Sequence, residues 1–77
     1  LSDIDKIIEL LRRRPPEAGY EDVRRLLEAF GWTQKRQTGS HVIFTKPGER
    51  SISVPLVGGR RVKRVYLIRI IELLDLD

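Results

Sequence analysis

His41 is the chain's single histidine, and it stands in Gly39-Ser40-His41-Val42-Ile43-Phe44, where a small-residue turn opens into an apolar run. Most of the positive charge lies around it. From Trp32 to Arg64 the chain carries Lys35, Arg36, Lys46, Arg50, Arg60, Arg61, Lys63 and Arg64 against Glu49, eight cations to one anion, a local charge of +7. The flanks are mildly acidic: residues 1–31 sum to −1 and residues 65–77 to −2. An imidazole in such a field suits chemistry on a polyanion. Cleavage of RNA by its own 2′-hydroxyl requires a proton taken from that oxygen, a proton given to the leaving 5′-oxygen, and compensation for charge on the phosphorane. His41 can fill one proton-transfer role; the second falls to Lys46, Lys63 or a water, or His41 acts while the cations do the rest. Lys35, Arg36, Lys46, Arg60, Arg61 and Lys63 are candidate phosphate clamps. Gly39 permits a positive φ and a close approach of backbone to phosphate, with Ser40 beside it. The same residues also suit a non-catalytic RNA-binding surface or a dock for an acidic protein. Residue types alone leave these three readings open, beside the plainer one of a surface or structural histidine next to a solvated basic face.

The bulk of the sequence narrows the setting. With 77 residues, 40% of them hydrophobic, the chain makes one small domain with enough apolar content to fold. The absence of cysteine removes disulfide and thiol chemistry and makes a cytoplasmic location the expectation. One histidine without cysteine does not make a zinc site, so neither metal nor cofactor is expected. No run is long and apolar enough to span a bilayer, and no signal-like pattern opens the sequence, so no membrane role is expected. A pI near 10 favours an acidic partner.

The elements that must hold His41 can be read from periodicity. Residues 2–14 read as a helix: Ser2 and Asp5 have capping-box spacing, Ile4, Ile7, Ile8 and Leu11 share a face, and Arg12–Arg14 precede the stop at Pro15-Pro16. Residues 15–19 read as a linker. A second helix spans about 21–30, with Val23, Leu26, Leu27 and Phe30 as its stripe and Gly31 ending it. Three strands come next, at 32–37, 41–46 and 51–55, joined by turns at Thr38-Gly39-Ser40 and at Lys46–Arg50. Gly58-Gly59 opens a basic connection into a last helix ending near Leu74. Its core stripe is Leu67, Ile70, Ile71 and Leu74, with Ile68 and Leu73 off it, so the first helix or a partner should cover that second side near Ile68 or Leu73. Trp32 and Phe44 read as core. The expectation is an α+β domain: a three-stranded antiparallel sheet with helices on one face and the other face free, preceded by an extra N-terminal helix.

From about Glu21 onward the chain resembles the HicA family of small toxin ribonucleases, also called YcfA-like. Phe30-Gly31-Trp32, Arg36-Gln37-Thr38-Gly39-Ser40-His41, Ile43-Phe44, Lys46-Pro47-Gly48, Ser53-Val54-Pro55 and the final Leu67, Ile70, Ile71 and Leu76 come in the family's order. The resemblance implies an α-β-β-β-α fold like a double-stranded-RNA-binding domain, over residues 20–77, with residues 1–19 as an accessory helix and linker. It implies metal-independent mRNA cleavage with His41 as the catalytic group, and a HicB-type antitoxin that masks this histidine. Many relatives carry a second histidine soon after the Val-Pro pair, whereas Leu56-Val57-Gly58 comes after it here.

Overall fold

The computed structural model describes residues 2–77; Leu1, the first residue of the accessory segment, lies outside the described residues. Helix α1 (Asp3–Arg12) begins at a complete capping box: the Ser2 hydroxyl accepts from the Asp5 N–H, and the Asp5 carboxylate accepts from the Ser2 N–H. Strand β1 (Glu17–Gly19) leads into α2 (Tyr20–Ala29). The meander β2 (Thr33–Thr38), β3 (His41–Thr45) and β4 (Ile52–Pro55) comes next, then β5 (Arg61–Lys63) and α3 (Arg64–Leu73). The larger sheet is antiparallel in the order β2-β3-β4, as an α+β meander requires.

Two expectations need correction. Residues 17–19 are not a free linker but β1, which pairs antiparallel with β5, and the basic connection after Gly58-Gly59 is that partner strand. Ala18 and Val62 face each other in this ribbon and are both buried, so the ribbon is fixed by the core. The periodicity of segments this short is invisible in sequence, because three residues offer a single inward position. The second correction concerns Leu73. It is 42% exposed and borders a groove between α3 and β4 rather than lying under α1. Helix α1 does pack on α3, as expected, and on α2 as well, with Ile7 and Leu11 as its buried residues.

One core joins every element except β2, whose six residues are all exposed. Val42 and Phe44 of β3 and Val54 of β4 point inward to meet Val23, Leu26 and Leu27 of α2 and Leu67, Ile70 and Ile71 of α3. Trp32 and Phe44 are core residues, as their context predicts. Helices α2 and α3 end alike. Gly31 (φ +92°) and Asp75 (φ +55°) take the left-handed position, while Trp32 and Leu76 donate back to Leu27 O (2.9 Å) and Ile71 O (3.0 Å). These are Schellman endings, which tuck an apolar residue under the last turn and set the direction in which the chain leaves the helix.

Candidate functional site

His41 is the first residue of β3 and faces the strand pair's outer side. Only two residues, Gly39 and Ser40, separate it from its cross-strand partner Thr38. Gly39 has φ +60° and Ser40 does not share a positive φ, the signature of a type II′ turn, which matches the twist of the flanking strands. The Gln37 side-chain amide donates to Gly39 O at 3.0 Å and braces the turn. On the other side, Leu56 N–H donates to Ser40 O at 2.7 Å, tying the turn to the chain leaving β4. Alternation along β3 sends Val42 and Phe44 into the core and leaves His41 exposed, with Ile43 and Thr45 on its face. Across the sheet that face continues with Thr38 and Arg36 on β2 and with Pro55 and Ser53 on β4.

The predicted cations divide into separate groups. Arg36 is opposite Ile43, hence diagonal to His41 on one face, a relation that sets the two residues about 7–8 Å apart. Lys35 occupies the β-bulge that breaks the β2–β3 register between Gln34 and Arg36. Arg60, Arg61 and Lys63 belong to the hairpin and strand after β4, where Arg60 and Arg61 border a cavity of about 480 Å³ beside Tyr20. Val57 bridges Arg61, and Leu56 before it holds Ser40, so this group connects to the histidine's turn through the backbone. Its charge is partly balanced. Arg61 Nε donates to Glu17 Oε1 at 2.8 Å, and Lys63 is opposite Glu17 in the ribbon.

Lys46 stands apart. It lies just past the far end of β3, about 16 Å along the strand from His41, and alternation turns it to the other face. Its Cε lies 3.3 Å from the position a Cβ on Gly31 would take. That spacing removes Lys46 as the second proton-transfer group for His41. Arg64 is also occupied: its Nε donates to Arg14 O (2.8 Å) and Pro15 O (3.2 Å), clamping the chain after α1.

Sequence reasoning did not single out Thr38, Glu17 or Gln34. The first was legible in principle, since a two-residue loop before His41 dictates its partner. Glu17 became relevant only through the β1–β5 pairing. Gln34 accepts a 2.7 Å hydrogen bond from the half-buried Tyr20 hydroxyl, which locks β2 to α2. Burial raises the Tyr20 pKa above its ordinary value, against a smaller opposing effect of Arg24. Among the described residues, no group of three histidine, cysteine or carboxylate side chains is arranged to hold a metal ion. No helix there is long and apolar enough to cross a membrane.

The sequence comparisons agree with this geometry. The family model described as the HicA toxin of bacterial toxin–antitoxin systems matches residues 20–76, from the first residue of α2 to the end of the Schellman turn after α3. No curated protein and no solved structure matches the chain significantly. With most of its length matched, and the Gly-Ser-His turn, meander and final helix inside the match, the chain belongs to the HicA toxin family.

Proposed function

We propose that this toxin is an endoribonuclease that cleaves mRNA in the cytoplasm, with His41 as its catalytic group and a HicB-type antitoxin as its natural restraint. The observation that carries the reading is the exposure of His41 on the open sheet face, diagonal to Arg36 and next to a glycine–serine turn. The neutral imidazole accepts the proton of the 2′-hydroxyl as that oxygen attacks phosphorus. The O2′–P bond forms, the P–O5′ bond breaks, and a water supplies the proton to the departing 5′-oxygen. Arg36 offsets the charge that grows on the phosphorane, and the Gly39-Ser40 backbone lets a phosphate approach. Lys35, Arg60, Arg61 and Lys63 hold neighbouring phosphates; Lys46 is left for a more distant one. The products are a 2′,3′-cyclic phosphate and a 5′-hydroxyl, with no metal or cofactor in any step.

The test is cleavage of end-labelled RNA in EDTA. His41→Ala should lower the rate by about 10²–10⁴-fold, the usual worth of a positioned acid–base group. Its melting curve should match the parent's, because the ring lies outside the core. Equal cleavage by parent and variant would overturn His41 as the catalytic group, whereas a parent that binds RNA without cutting it would leave RNA binding as the function.

A further inference from the structure

The two edges of the main sheet are built differently. β2 is exposed along its whole length, reads Thr-Gln-Lys-Arg-Gln-Thr and contains a bulge, features that discourage another strand from pairing. β4 reads Ile-Ser-Val-Pro, without a charge or a bulge, and keeps regular register with β3. The Leu56 N–H turns back to Ser40 O, so the backbone groups of Ile52 and Val54 face β3 and those of Ser53 and Pro55 face away. Ser53 therefore presents a free N–H and C=O at an exposed edge. Pro55 offers only its carbonyl, which limits pairing at that end.

Beside this edge runs a groove of about 410 Å³ between β4 and α3. Its walls are Ile52, Val54, Tyr66, Ile70 and the exposed Leu73, and Arg69 is the one charged residue bordering it. The Arg69 guanidinium stands 5.4 Å over the Tyr66 ring and makes no ion pair among the described residues. We infer that the β4 edge and this groove receive an extended segment of the antitoxin, pairing with Ser53, laying aliphatic side chains along Tyr66, Ile70 and Leu73, and setting a carboxylate against Arg69. The charge favours that occupant. A second copy meeting at Ser53 would bring two Arg69 cations together, whereas an acidic segment complements a chain of net charge +4. A strand added there lies about 10 Å from β3, two strand spacings, so its outward side chains reach over Pro55 toward His41. This docking surface rests on the assignment of the chain as a toxin with a protein antitoxin, not on the cleavage chemistry.

The experiment measures affinity for a purified HicB-type antitoxin, by calorimetry, with parent, Ser53→Pro and Arg69→Glu. Ser53→Pro removes only an outward N–H, so the sheet's own ladder is kept. Arg69→Glu reverses the charge on an exposed helix position. Each should weaken binding at least tenfold while RNA cleavage and melting temperature stay at parental values. Parental affinity in both variants, or no binding by the parent, overturns the docking surface. So does a parent dimer that Ser53→Pro converts to monomer, which would assign the edge to self-association. If the variants lose binding while the parent fails to cut RNA, the docking stands and the nuclease assignment falls.

Discussion

Two arginines of the basic stretch do opposite work. Arg36 projects from the open face beside His41, while Arg64 spends its guanidinium on carbonyls after α1. Arg36→Gln should therefore weaken RNA binding, flatten the log–log salt slope by about one and leave stability unchanged. Arg64→Ala should cost about 1 kcal/mol in denaturant titration, a charge-assisted contact at an exposed site, with little change in RNA affinity. Reversed results would exchange their roles. The sequence alone could not separate them, because local charge density treats every cation alike. What distinguishes Arg64 is the path of residues 14–16 past it, a tertiary fact. His41 was the opposite case: its neighbours in sequence, Gly39 and Ser40, are also what determine its direction.

At the scale of elements, the helix endings and one half-buried phenol hold the hairpin to the helical layer. Gly31 sits at φ +92° with the Lys46 side chain close by, so Gly31→Ala should lose about 1–3 kcal/mol in thermal or denaturant unfolding. The Tyr20–Gln34 link adds a pH signature. A folded-state pKa raised above the unfolded value stabilises the protein at pH below the unfolded pKa, and that contribution disappears as pH rises through the folded pKa. Stability should thus fall above about pH 10 in the parent and fall less in Tyr20→Phe, by chemical denaturation at stepped pH. Helices α1, α2 and α3 and the three meander strands were all legible from apolar spacing and from Gly, Pro and capping residues. β1 and β5 were not, since Glu17–Gly19 and Arg61–Lys63 become strands only by meeting each other.

The molecule as a whole depends on its first helix more than an accessory segment would suggest. Leu11 is fully buried within the common core, and Leu11→Ala should cost about 2–5 kcal/mol of stability. Removing residues 1–14 should lower the melting temperature and promote aggregation, because apolar surface on α2 and α3 would be uncovered; an unchanged melt with monodisperse scattering would contradict this packing. The ribbon between β1 and β5 has a further, kinetic consequence. Its Glu17–Arg61 contact closes a sequence separation of 44 residues, whereas the turn bearing His41 needs only two residues to close. Short hairpins zip in about 1–10 μs, and distant pairings wait for the intervening chain to become ordered. The imidazole thus takes its local setting early in folding, and the cations of β5 join it late. In pulse-labelled hydrogen exchange, amides of the β2–β3 hairpin should gain protection before those of Ala18 and Val62, so a partly folded chain would display its histidine before the β5 cations proposed to hold phosphates are in place.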